Sequence, residues 1–395
     1  MGPLDGIRVL DIGNLLAGPW TGTFLADLGA DVIKIEHPEI VDPVRNFGAR
    51  AEGKGLYWKS AGRNKRCITL KLSTPRGREI LLELVKTADV VIENYRAGTM
   101  EKWGIAFDDL EKVNPNLVMV RTSGFGQQGP YSGFPGFGTL AEAMSGFANI
   151  TGENDGPPQL PQLPLADGIA ALFGTIGALA GLMHVKNGGG GQWIDNALYE
   201  GLMRLTENMA MEAWYTGVPR ERLGNRIADT TPRGAYETSE PGKWVALSGS
   251  NPATARRIFE AIGRADMNED PRFMDNQSRI KHADLIDEAL QDWIGQHTRD
   301  EVLATFRAAD APISPIYTHA ELLEDPHFVA RDTHVMIDDA DLGEVKVQNV
   351  MPRFSKTPGE IRFSGPDHGA HNLDVFAEIG LTQKDLDELK QEGVI

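Results

Sequence analysis

The sequence predicts an α/β fold, and three observations predict it. The N-terminal residues read as strand, helix and strand, a βαβ unit. Strand and helix patterns then keep alternating, which implies a mostly parallel sheet with helices on both faces. Beyond a polar loop at 218–232 the pattern changes to a hairpin and several helices, which marks a second, smaller α+β domain.

The elements follow in order. Residues 7–12 read as a strand, 18–28 as a helix and 31–36 as the second strand. A strand at 67–72 is followed by a helix at 76–87, with Pro75 at its first turn. Strands at 89–93 and 117–122 flank a short helix at 108–114. An uncharged apolar run, 169–183, reads as a buried helix. It is followed by a glycine turn at 188–191, a strand at 192–196 and a long helix at 198–215. A hairpin pairs 233–238 with 243–248. Asn251 before Pro252 and the pair Thr298/Glu301 both signal helix starts. From His334 the tail returns to strand and loop and closes in an amphipathic helix near 383–391.

Composition narrows the function. Net charge is 39 − 56 = −17 and the isoelectric point is near 5.0, which argues against nucleic acid or an anionic membrane as partner. Cys67 is the single cysteine, so no intramolecular disulfide is possible; a reducing, cytoplasmic compartment and an inert thiol in a strand are expected. The first residues lack the basic and apolar regions of a signal peptide. The run 166–183 is nearly long enough to span a bilayer, and Gly177 and Gly181 match GxxxG. Its four glycines and its solitary place in an acidic chain favour a buried helix.

Asp167 stands at the mouth of that run. Its residue type and position fit a helix cap, with Gly168 opening the helix. They also fit a nucleophile, because the same helix field keeps a carboxylate ionised. Local sequence leaves both open.

Other motifs are weaker. The first βα turn, 13–19, lacks a dinucleotide fingerprint; Gly124-Phe-Gly126-Gln-Gln-Gly129 has the spacing but opens onto prolines instead of a helix. A ligand-binding loop at a strand end fits it better. The glycines at 188–191 lack the lysine and helix of a P-loop, and there is no G-x-S-x-G elbow. His368 and His371 form a near-terminal pair that reads as surface histidines, so no metal site is expected. Two basic groups, Arg63-Asn-Lys-Arg66 and Asn94-Tyr-Arg96 with Lys102, fall at strand ends; each fits either a ligand contact or surface ion pairs.

These pieces occur in one order: Gly6-Ile-Arg-Val-Leu-Asp11, Ala17-Gly18-Pro19, Leu28-Gly-Ala-Asp-Val-Ile-Lys-Ile-Glu36, Asn64-Lys-Arg66, Ala88-Asp-Val-Val-Ile-Glu-Asn-Tyr95, Gly124-Phe-Gly-Gln-Gln-Gly-Pro130, Ala143-Met-Ser-Gly146 and Ala166-Asp167. The chain resembles the class III coenzyme A transferases, the family of formyl-CoA transferase and carnitine CoA-transferase, over essentially its whole length. The resemblance implies an interlocked homodimer. Each subunit would have a large Rossmann-like domain built from both chain ends and a small domain between them. In this chain that puts the large domain at 1–200, a linker at 201–224, the small domain at 225–315, and a linker with the return to the large domain at 316–395.

The resemblance also implies acyl-CoA and a carboxylic acid as substrates, with no tightly bound cofactor. The family's nucleophilic aspartate falls on Asp167, which would form an acyl anhydride and then an aspartyl-CoA thioester. Positions near CoA fall on Leu16, Ala17, His37, Leu70, Asn94, Tyr95, Arg96 and Lys102. The loop Gly124, Phe125, Gly126 would stabilise an oxyanion or meet substrate. Where the family often has arginine this chain has His37 and Lys102, and Leu16 replaces the glutamine of formyl-CoA transferase. The α-methylacyl-CoA racemases of the same fold carry a Gly-His-Asp segment that reads Gly136-Phe-Gly138 here, which favours transfer over racemisation. An acyl-CoA racemase and a CoA-binding protein without turnover are the alternatives.

Overall fold

The computed structural model describes residues 2–395. The chain forms two compact units. The first comprises the chain up to Ala148, Leu160–Pro219 and Asp332–Ile395; the second comprises Asn149–Gln159 and Arg220–Arg331.

The first unit is a mixed α/β fold around a central parallel sheet. Its strands are β1 (Arg8–Asp11), β2 (Asp31–Glu36), β3 (Lys65–Thr69), β4 (Val90–Glu93), β5 (Val118–Ser123) and β6 (Gln192–Ala197). Their spatial order is β3-β2-β1-β4-β5-β6, and every neighbouring pair is parallel. The order reverses between β1 and β4, and a crevice forms at such a reversal, outside the carboxyl ends of the strands.

Side-chain alternation along each strand sorts the core into two layers. Leu10, Ile33, Ile68, Val91 and Met119 pack on one face, with Leu81 and Leu84 of helix α2 (Pro75–Val85). Val9, Val32, Val90 and Val118 pack on the other, with Leu25 of helix α1 (Ala17–Asp27). The closing helix Gln383–Gln391 has a Thr382/Asp385 capping box and seats Leu386 and Leu389 in the first layer.

Three more helices build the crevice: α3 (Gly138–Met144), α4 (Leu165–Lys186) and α5 (Leu198–Leu205). The glycines of α4 serve close packing on the sheet layer. A β-carbon on Gly174 would meet Thr21, one on Gly177 would meet Ile194, and one on Gly181 would lie 2.7 Å from Val118. The helix expected to be buried buries one face. Leu172, Ile176 and Met183 on its other face are exposed. By length and composition alone this helix could cross a membrane. The long helix expected at 198–215 is two helices, α5 and Glu207–Thr216, because Thr206 leaves helical geometry at φ −109° and ψ 16°.

In the second unit, a three-stranded antiparallel sheet runs Ile313–Ile316, Trp244–Ser248, Arg233–Glu237. The expected hairpin is present, with Trp244 opposite Glu237. Helices Pro252–Ala261, Ala283–Ile294 and Arg299–Ala308 cover its buried side through Ile258, Phe259, Ile286, Leu290 and Phe306. Asn251 caps the first of them and a Thr298/Glu301 box caps the last.

Candidate functional site

Between β1 and α1 the chain makes a loop that buried charges hold from below. Asp11, Lys34 and Lys65 point inward from β1, β2 and β3 with no exposed surface. Lys65 Nζ donates to Asp11 Oδ2 at 2.9 Å and to Pro19 O at 2.5 Å, while Lys34 Nζ donates to Gly13 O. Asp42 accepts the Leu15 N–H at 3.1 Å and lies 3.6 Å from Lys34 Nζ. Burial works against charge on Asp11, but Lys34 and Lys65 more than offset it and hold its carboxyl below the usual range. The network fixes Leu15 in a left-handed conformation, φ 60°, which a β-carbon normally disfavours. The basic run 63–66 is thereby spent on ion pairs: Lys65 on Asp11, Arg63 on Asp27, and Arg66 on Asp31 and Glu378.

Across the crevice, β4 ends in Glu93, and Asn94 follows it. The Asn94 amide clasps the loop: Oδ1 accepts from Asn14 N and Nδ2 donates to Asn14 O, both at 2.7 Å. Gly13 and Gly18 make room for it, since a β-carbon on either would fall within 3.2 Å of the Asn94 side chain. Glu93 accepts from Tyr95 N at 2.7 Å and pairs with Arg121 at 2.8 Å. Burial nonetheless pushes the Glu93 carboxyl up to about 7. The Tyr95 ring packs edge-on against Trp103.

Asp167 belongs to the first turn of α4, and the residue preceding the helix is Pro164. It is therefore inside the helix instead of capping it, and no side chain caps this end. Burial first, and the negative Glu142 second, push its carboxyl up to about 6. Glu142, on α3, is itself buried and accepts the Ala166 N–H at 3.2 Å. Tyr57 stacks on Trp20, whose ring lies under Gly168. Burial and the Asp167 charge push the Tyr57 hydroxyl up to about 12. A carboxyl that stays largely ionised at neutral pH, yet is poorly solvated, is suited to attack an electrophilic carbonyl.

These elements enclose a cavity of about 270 Å³ at the carboxyl ends of β1, β4 and β5. Six expected site residues line it together: Ala17, Asn94, Tyr95, Arg96, Gly124 and Asp167. The others lie elsewhere. Leu16 packs with Val44, Trp58 and Cys67, and Leu70 sits in the core layer under α2. The His37 Nδ1 accepts from the Glu39 and Ile40 N–H groups at 3.1 Å, and burial with nearby Lys71 lowers its pKa, so the ring is neutral. Lys102 is exposed on the short helix Thr99–Trp103. Phe125 packs edge-on against Tyr131, and Gly126, at φ 82°, lies beside Asp195.

Sequence reasoning did not single out Ser123 or Phe134, which line the cavity, or Glu142, which touches the Asp167 segment, and it named Phe137 and Gly138 only as the segment without the racemase histidine. The β5 end and the Gly136–Gly138 segment were in view, but nothing in their residue types separates a cavity wall from a turn. Cys67 is buried in β3 and its thiol is pushed up to about 12 by burial and Glu36. Among the described residues no group of three or more His, Cys, Asp or Glu side chains could hold a metal ion.

The model of CoA-transferase family III matches residues 4–372. The chain is 42% identical to the succinyl-CoA–D-citramalate CoA-transferase of Chloroflexus aurantiacus over 395 residues, which covers all of this chain and 98% of the relative. It is 33% identical to the succinate–glutarate CoA-transferase of Agrobacterium fabrum, covering 95% of this chain and 96% of the relative. The crystal structure of a CAIB/BAIF family protein from Brucella suis superposes with a TM-score of 0.83 at 32% identity, covering 96% of this chain and 99% of that one.

Proposed function

This chain belongs to CoA-transferase family III, and from that premise we propose that it moves CoA from an acyl-CoA, succinyl-CoA first among them, to a free dicarboxylic acid. The observation that carries this reading is Asp167, a poorly solvated carboxylate opening on the cavity at the switch point of the sheet. The relatives named for succinyl donors and small diacid acceptors support the choice of substrates.

The chemistry proceeds through Asp167. Its carboxylate attacks the thioester carbonyl; the C–S bond breaks and CoA leaves as thiolate, giving a mixed anhydride. The thiolate attacks the aspartyl carbonyl, releases the donor acid and forms aspartyl-CoA thioester. The acceptor carboxylate then attacks that thioester, and the returning thiolate takes the acceptor acyl group, which regenerates Asp167. Coenzyme A serves as substrate, and no other cofactor or metal takes part.

Ala17, Asn94, Tyr95 and Arg96 flank the thioester end of CoA, with Leu16, His37 and Lys102 along its path, while Leu70 supports that path from the core beneath. The uncapped N-terminus of α1, which has no acidic residue in its first turn, adds a favourable field for anionic groups. The backbone at Gly124–Gly126 stabilises developing negative charge. Phe137 occupies the wall where the related racemases carry histidine and has no proton to exchange, which supports transfer over racemisation.

The enzyme works as a cytoplasmic, interlocked homodimer, with the large domain built from both chain ends and no nucleic acid or membrane partner. The apolar face of Glu207–Thr216 supports the dimer, because Trp214 is 80% and Tyr215 78% exposed, more than a lone subunit ordinarily tolerates. The test is a mass-spectrometric screen of succinyl-, acetyl- and longer acyl-CoA against small dicarboxylates, with hydroxylamine added during turnover. The expected result is transfer with a hydroxamate on Asp167. Transfer without any adduct there would overturn the covalent route.

A further inference from the structure

Ser123 lines this cavity, and its hydroxyl is a buried polar atom that makes no hydrogen bond within the described residues. Ser123 ends β5 and is 7% exposed, and its Oγ is buried with no hydrogen-bond partner. A buried hydroxyl without a partner loses its hydration uncompensated, so native structures rarely keep one without a reason. Its neighbour shows the contrast. The Thr122 hydroxyl, equally buried, accepts from Asn196 Nδ2 at 3.0 Å.

Ser123 and Asp167 both line the 270 Å³ cavity. That volume corresponds to roughly nine waters, enough room for the acyl end of a substrate. Arg96, the cation on the same wall, is exposed to solvent. A neutral, buried donor beside the Gly124–Gly126 backbone therefore helps to hold the carbonyl oxygen of a bound thioester when it takes up charge.

We propose that Ser123 is a further catalytic residue whose Oγ–H donates to the acyl carbonyl oxygen as Asp167 attacks the carbonyl carbon. This rests on the transfer reading above. The Asp167 lone pair forms the new C–O bond, and the carbonyl π pair moves onto the oxygen that Ser123 binds. When the intermediate collapses, the C–S pair leaves with the CoA thiolate. Ser123 keeps its proton throughout. The hydroxyl makes no bond within the protein, so its effect is confined to the bound state.

The experiment follows acylation of Asp167 by succinyl-CoA in single-turnover quenches read by mass spectrometry, for the wild type, Ser123→Ala and Ser123→Thr. Ser123→Ala is expected to acylate about 100-fold more slowly, the usual effect of losing one oxyanion donor. Its succinyl-CoA affinity, by calorimetry, should stay within about twofold, and its Tm should hold or rise, since no native bond is removed. Ser123→Thr, which keeps the hydroxyl, should recover most of the rate. Equal acylation rates in wild type and Ser123→Ala would overturn the role of Ser123 and leave the transfer reading intact. A rate loss matched by a fall in Tm would overturn it too. A wild type that takes no acyl group would defeat the transfer reading itself.

Discussion

Gly138 and Asp167 stand so close that a β-carbon on the glycine would collide with the Asp167 Oδ2. The glycine opens α3, its backbone is outside the left-handed region, and nothing else crowds it so closely. Gly138→Ala must therefore turn the Asp167 carboxylate away while giving the helix a better former, by up to about 1 kcal/mol. The expected variant keeps or gains Tm and loses at least about tenfold in kcat, because a reacting group displaced by a fraction of an ångström loses its attack geometry. Steady-state kinetics beside a thermal melt checks this; full activity would mean the contact does not position Asp167.

The second prediction concerns pH. Asp167 must be ionised to attack, and burial with Glu142 holds its carboxyl at about 6. Log kcat/KM should fall with unit slope below that pH. Glu142→Gln keeps an oxygen to accept the Ala166 N–H but removes the negative charge. The acid limb should then move to lower pH, because the neighbour no longer opposes ionisation. Profiles of the two proteins from pH 4.5 to about 8 decide it, and an unmoved limb would exclude the Asp167–Glu142 coupling.

The same carboxylate should cost the enzyme stability. Its folded pKa, about 6, lies above the unfolded value of 3.8, so the native state binds the proton more tightly. Stability from this group is therefore greatest in acid, declines as pH rises from 3.8 through 6, and stays lowered above that. Asp167→Asn abolishes transfer but should gain on the order of 2–3 kcal/mol at pH 8. At pH near 4 the gain should be close to zero. Urea melts at the two pH values test the difference; an equal gain at both would show that shape, and not ionisation, sets it.

The sheet was legible because β-branched and other apolar residues recur in each strand: 31–36 and 117–122 lie on or within one residue of β2 and β5. What hydrophobic periodicity could not show is that Asp11 and Lys34 would be fully buried within their strands, since a charged residue in a strand reads as an outward-facing position, or that the third strand would begin at Lys65, equally buried, two residues before the expected 67–72. Asp167 was legible as a residue of consequence, but its cap geometry was misread. Pro164 starts the helix one turn early, which puts the carboxylate inside the first turn. Glu142 and Ser123 left no local signal. They come to the site through the packing of α3 on α4 and the strand order, which are set by contacts distant in sequence.

The last prediction separates holding the loop from touching the substrate. Asn94 spends both ends of its amide on Asn14, and this pair ties the carboxyl end of β4 to the β1–α1 turn across the switch point. Asn94→Ala removes two hydrogen bonds and leaves the Asn14 backbone to water, a loss of about 1–3 kcal/mol. Asn94→Asp keeps the acceptor for Asn14 N but sets an oxygen against Asn14 O. It should destabilise at least as much as alanine at pH 8 and less in acid, where the protonated carboxyl can donate. If Asn94 acts through the loop, both variants should lose Tm and raise KM for acyl-CoA together, because Leu15 and Ala17, which line the cavity, lose their anchor. A raised KM with an unchanged Tm would instead mean that the Asn94 amide leaves Asn14 and binds CoA directly.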